Sequence, residues 1–107
     1  MLKKTHRLTS AAFDHYFKAG ARFHTPCLQL IYAPHDHFHG AVVVGKKVHQ
    51  SAVARNRLRR QLYSTLYQHH LTEQTRGVFI VIVKPAAVKE SVANVRSYLT
   101  TLLSKVT

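Results

Sequence analysis

Two short β-branched apolar runs, AVVV at 41–44 and VFIVIV at 78–83, limit what this chain can become. Both have strand length, and both are apolar at consecutive positions, the pattern of strands covered on two faces. Between them lies SAVARNRLRRQLYSTLY, Ser51–Tyr67, in which Leu58, Leu62 and Leu66 recur every four residues. That spacing lays the leucines along one stripe of a helix, and Ser51 is placed to cap its first turn. Strand, helix and strand in this order form a crossover unit, and so long a connection joins a parallel pair. AVVV is then expected as a central strand, with a helix ending near His69 or His70 and a polar link over Leu71–Arg76.

The remaining segments complete a small open sandwich. Residues 1–9 form a basic arm. Ser10 can cap a short helix, AAFDHYFKAG, which Gly20 ends in the usual C-terminal position. From Ala21 the chain is extended, with Pro26 suggesting an edge or a bulge. CLQLIYA then sets Leu28, Leu30 and Tyr32 on one face and Cys27, Gln29 and Ile31 on the other. Pro34–Gly40 is a loop bounded by breakers. Pro85 stops the late strand, and a last helix from Lys89 or Ser91 carries Val92, Val95, Leu99, Leu102, Leu103 and Val106 at helical spacing. The predicted order is α-β-β-α-β-α, an α/β (α+β) sandwich of helices on a small sheet. A chain of 107 residues, without repeats or a composition shift, makes 1–107 a single domain.

Charge decides what that domain would meet. Sixteen Lys and Arg stand against four acids, a net charge of +12 with histidines neutral. Such imbalance strains the compact state by self-repulsion and marks a polyanion partner. No apolar run approaches the roughly 20 residues of a membrane-spanning helix. The start, MLKKTHRL, is basic but lacks the apolar core of a signal peptide, so a cytoplasmic protein without membrane contact is expected. Cys27 is the one cysteine, which excludes an internal disulfide and points to a small buried side chain.

The carboxylates Asp14, Asp36, Glu73 and Glu90 are scattered, so the paired acids of two-metal phosphodiester cleavage are missing. Gly45-Lys46 lacks the rest of a phosphate-binding loop, and no small-molecule substrate is implied. The chain is not expected to be a catalyst by itself. Nine histidines include His35, His37 and His39 in the loop and the adjacent His69 and His70. Without a cysteine partner on a rigid element they read as solvated, not as a metal site.

The basic helix is more specific. At 100° per residue, Arg55, Arg59, Tyr63, Asn56 and Arg60 fan out beside the leucine stripe, with Arg57 further round. Arginine forks suit phosphate oxygens, and Lys46, Lys47 and His49 extend the same surface. Phe13 and Phe17 lie four apart on one face of the first helix, with Tyr16 close by. They fit either a core stripe or a groove where aromatic rings stack on bases.

Arg55-Asn56-Arg57-Leu58-Arg59-Arg60, following AVVVGKKV, resembles the arginine motif of the protein subunit of bacterial ribonuclease P. Arg7-Leu8 with Phe13, Phe17 and Gly20 matches that family's opening, and FIVIVKPAA its late strand and turn. The resemblance covers almost the whole chain and implies the protein cofactor of a ribozyme that removes the 5′ leader from precursor tRNA. It implies an endoribonuclease holoenzyme whose RNA subunit holds the Mg2+ ions and performs the hydrolysis. It assigns Arg55, Asn56, Arg57, Arg59, Arg60, Lys46 and Lys47 to the catalytic RNA, and a cleft with Phe13, Phe17 and Tyr32 to the leader. It further implies the same α-β-β-α-β-α order, with a left-handed crossover. The chain departs from the family pattern in several places. Tyr63 stands where a basic residue is common. His49-Gln50-Ser51 replaces a glycine before the helix with one residue more. The cleft aromatic of the sheet aligns nearer Ile31 than Tyr32. The alternative reading is a general ribosomal-type RNA-binding protein that uses the same arginine helix with no processing role.

Overall fold

The computed structural model describes residues 7–106, so most of the expected basic arm, residues 1–6, lies outside it. Helix α1 spans Ser10–Ala19, strands β1, β2 and β3 span Ala21–His24, Leu28–Ala33 and Phe38–Val44, and helix α2 spans Ala52–Glu73. Strand β4 spans Gly77–Val83, a 3-10 turn covers Pro85–Lys89, and helix α3 spans Val92–Val106. The sheet order is β1-β2-β4-β3. β3 and β4 are parallel and are joined through α2, as the crossover reading required, while β2 runs antiparallel to β4 and β1 to β2.

Several local expectations are corrected. The extended run from Ala21 divides into two strands, because Thr25 turns the chain: its hydroxyl accepts from the Leu28 N–H at 2.9 Å, and its own N–H bonds the Leu28 carbonyl at 2.8 Å. β3 begins at Phe38, so the histidine loop gives up His39 and Gly40 to the sheet. β3 is also an edge strand, not a central one; beyond it, among the described residues, lies an isolated parallel bridge from Arg7 to Gly40. Its outward valine shows the difference, since Val43 is 38% exposed. The interior strands are β2 and β4, and β4 is buried in one continuous run from Gly77 to Val81. α2 continues past His70 to Glu73 and stops where Gln74 turns left-handed, at φ 49°. α1 is capped by Thr9 instead of Ser10, its hydroxyl accepting from the Ala12 N–H at 3.2 Å.

Strand alternation divides the core into two layers. On one face Leu28, Leu30, Phe38, Val42, Val44, Phe79, Val81 and Val83 pack with Leu58, Leu62 and Leu66 of α2 and Val95, Leu99, Leu102 and Leu103 of α3. On the other face Ile31, Ala33, Val78 and Ile80 form a smaller cluster, roofed by Phe13, Tyr16 and Phe17 of α1. Gly20 is needed at the α1–sheet junction for closeness, not for a left-handed turn: its φ is −73°, and a Cβ there would lie 2.5 Å from Ile31 Cγ2. Among the described residues no helix is long and apolar enough to cross a membrane.

Candidate nucleic-acid interface

The α2 face is built from its first turn. Ser51 Oγ accepts the Ala54 N–H at 3.3 Å, so the helix starts where the sequence placed it. Just before, Val48 is buried and its N–H closes a turn onto the Gly45 carbonyl at 3.0 Å, leaving Lys46 and Lys47 exposed at the tip. Arg55 straps this turn to the helix, donating to the carbonyls of His49 at 2.8 Å and Gln50 at 2.9 Å. Arg59 donates to the Asn56 side-chain oxygen at 2.7 Å. Arg57 and Arg60 are exposed. Between Asp36 and Glu73 the sequence has no acid, so none of these six cations has an acidic neighbour close along the chain.

Tyr63 is half-buried against the main core with Tyr67, so the body of its side chain rests on apolar neighbours. Sequence reasoning missed Arg96 of α3, whose Nε donates to Thr65 Oγ1 of α2 at 3.0 Å. It lies on the polar face of α3, and no spacing rule links it to the arginine helix.

The opposite side of the sheet carries the aromatic pair. Phe13 and Phe17 are half-buried, with ring centroids 5.8 Å apart and planes 25° from parallel. They serve as core and as surface at once, because α1 has no fully buried residue and roofs only part of the sheet. Beyond that roof the same face continues through Gln29, Ile82 and Val43, half-buried or exposed.

Tyr32 does not join this pair. It pairs in register with Phe79, its ring 5.2 Å away, and packs with the α2–α3 core. Alternation along β2 sends Tyr32 to the same side as Leu28 and Leu30, so Ile31, not Tyr32, shares the face of Phe13 and Phe17. A second omission of the sequence reading lies here too. The Arg22 guanidinium sits 4.7 Å over the Phe17 ring and donates to the Phe17 carbonyl.

The histidine loop stands at one end of α1. His35 meets His39 edge-on at 4.7 Å and Tyr16 at 6.2 Å, and His35 Nδ1 accepts the His37 N–H at 3.0 Å. Among the described residues no group of three His, Cys, Asp or Glu is disposed to hold a metal ion. At the far end of α2, burial lowers the pKa of His69, opposed by Glu73 and aided by His70. Cys27 is 1% exposed, and burial first, then Glu90, pushes its thiol up against the pull of Lys84.

A four-stranded sheet with an arginine helix on one face and an aromatic pair on the other defines a basic α/β protein with two distinct faces. The family model described as Ribonuclease P matches residues 2–107. The chain belongs to the ribonuclease P protein family. It is 29% identical over 98 residues to the ribonuclease P protein component of a Nitratiruptor species, covering 92% of this chain and 88% of that one. With the corresponding protein of Synechococcus elongatus it shares 34% over 93 residues, 78% of this chain and 75% of that one. Its fold superposes on a Staphylococcus aureus RNase P protein mutant, described as defective in mRNA degradation activity, with a TM-score of 0.85 at 23% identity. That match covers 96% of this chain and 89% of the other. Membership carries a role in tRNA processing and an RNA partner within the ribonuclease P complex.

Proposed function

We propose that this chain binds the catalytic RNA of ribonuclease P through α2 and holds the 5′ leader of precursor tRNA in the cleft beside α1. Holding the leader there promotes its endonucleolytic removal to give the mature tRNA 5′ end. The observation that carries this reading is the division of surfaces. Arg57, Arg59, Arg60, Lys46 and Lys47 project from the α2 layer, with Arg55 and Asn56 organising them, and Phe13 and Phe17 lie across the sheet. One small domain can then touch two RNAs without competition between them. Phosphate contacts from arginine supply affinity without sequence reading, and aromatic stacking tolerates any leader base.

The chemistry belongs to the RNA. Asp14 lies on α1, Asp36 in the loop before β3, Glu73 at the end of α2 and Glu90 after the 3-10 turn. This scattered donor set does not fit a protein-held Mg2+ site, so the RNA subunit is assigned the magnesium ions and the hydrolysis. What the protein contributes is positioning and a positive field, and its compartment is the cytoplasm, where precursor tRNA is made.

The test mixes the protein with its cognate catalytic RNA and precursor tRNA at low magnesium and follows leader release. Faster release than with RNA alone is expected. No enhancement, at a salt concentration that permits assembly, overturns the proposal in favour of an RNA-binding protein without a processing role.

A further inference from the structure

Resting on the cleft reading, we infer that the outer edge of β1 is a track for two consecutive phosphodiesters of single-stranded RNA, Arg22 taking the first and His24 with Lys84 the second. β1 is the edge strand beyond β2, and its register sets Arg22 opposite Ile31 and His24 opposite Gln29. Both therefore stand on the face that carries Phe13 and Phe17, and both are exposed. Residues two apart on a strand are about 6.5–7 Å apart, a step comparable with that between adjacent phosphates of an extended strand.

Each station has the form of an anion site. The Arg22 guanidinium is held by two independent contacts, its face on the Phe17 ring and a donated bond to the Phe17 carbonyl. A guanidinium has five N–H donors, so the remaining ones stay available at the cleft mouth in a fixed plane. At the second station, Lys84 Nζ lies 3.4 Å from His24 Nδ1 and donates to the Thr25 carbonyl at 2.9 Å. A phosphate set against this pair would accept from the ammonium and from a ring N–H. Glu90, which also acts on Cys27 alongside Lys84, is bonded to the Asn94 side-chain amide at 3.0 Å.

The geometry assigns different parts of a nucleotide to different parts of the cleft. Bases would lie toward the Phe13–Phe17 pair while the backbone follows β1, and nothing in this arrangement reads a base edge.

The experiment uses the holoenzyme reconstituted with its catalytic RNA, and measures affinity for precursor tRNA and mature tRNA across a salt series. Arg22→Ala should weaken precursor binding alone and make the log–log salt slope shallower by about 0.7. Arg22→Lys, which keeps the charge, should keep the slope. His24→Ala should lose affinity for the precursor and not for mature tRNA. A leader carrying neutral methylphosphonates at the contacted positions should bind wild type and Arg22→Ala alike. Equal loss on both substrates, an unchanged slope, or a persistent deficit on the neutral leader overturns the track. If Phe17→Ala loses leader binding while the Arg22 and His24 variants do not, the track fails and the cleft stands. If Phe17→Ala is also indifferent to the leader, the cleft reading fails with it.

Discussion

Arg59 and Asn56 are joined side chain to side chain on α2, the guanidinium donating to the amide oxygen at 2.7 Å one turn back. This bond holds the amide in one flip state, and it orients a planar cation that would otherwise sample many rotamers. Less conformational freedom then remains to be lost when RNA arrives. Arg59→Ala should weaken assembly with the catalytic RNA and lower the salt slope by about one. Asn56→Ala should weaken assembly less and leave the slope unchanged, because the charge remains. Filter binding across a salt series separates the two outcomes.

Arg55 differs from its neighbours in what it holds. Its bonds to the His49 and Gln50 carbonyls make it part of the turn that displays Lys46 and Lys47. Arg55→Ala should cost about 1 kcal/mol in urea unfolding in addition to weaker RNA binding. Arg57→Ala and Arg60→Ala, at exposed positions, should stay within about 0.5 kcal/mol of wild type.

The turn from α2 to β4 holds two positive-φ residues with opposite expectations. Gln74, at φ 49°, carries a side chain where glycine is favoured, so Gln74→Gly should raise stability by about 0.5–1 kcal/mol. Gly77, at φ 126°, has no room: an added Cβ would lie 2.7 Å from Tyr32 Cε1 and 3.0 Å from the Ala33 carbonyl. Gly77→Ala should lower stability by about 2–3 kcal/mol. Thermal melts of the two variants should shift in opposite directions.

Burial lowers the folded-state pKa of His69 below its unfolded value, so the unfolded chain binds that proton more readily. Stability from this group is complete above the unfolded pKa near 6.5 and is lost as pH falls through the folded value. Urea midpoints followed downward from pH 7 should therefore fall more steeply in wild type than in His69→Gln. Equal slopes would show that the ring is hydrated in the folded protein.

Cys27 offers a probe of opening. With 1% exposure and a raised thiol pKa, it should resist alkylation in the folded state. Labelling should follow the population of opened molecules, slowing in stabilised variants such as Gln74→Gly and quickening in Gly77→Ala.

The elements that periodicity describes were legible from residues. Leu58, Leu62 and Leu66 are buried as their spacing required, and the parallel pairing of β3 with β4 followed from the length between them. What periodicity leaves open is the lateral order of strands. AVVV has the composition of a central strand, yet β4 takes an interior place because β2 pairs with its free edge. Nothing local in Phe38–Val44 encodes that choice. The same limit governs Tyr32. Alternation had already set it opposite Ile31, and the sheet turns that parity into burial against Phe79, away from Phe13 and Phe17. Arg22 was illegible for a different reason: its partner Phe17 lies across a helix end, and only the close packing at Gly20 brings them together.

The strand order also sets a schedule for synthesis. β2 and β3 touch only through β4, which is the last strand to be translated. Until residue 83 is available, an emerging chain can pair β1 with β2 and bridge Arg7 to Gly40, but β3 has no full strand beside it, while its arginine helix is already complete. For that interval a strongly cationic segment lacks the sheet it will rest on. A growing chain of this kind therefore needs its last third before its first two-thirds can hold their shape, and premature termination leaves a sticky basic fragment instead of a weaker version of the protein.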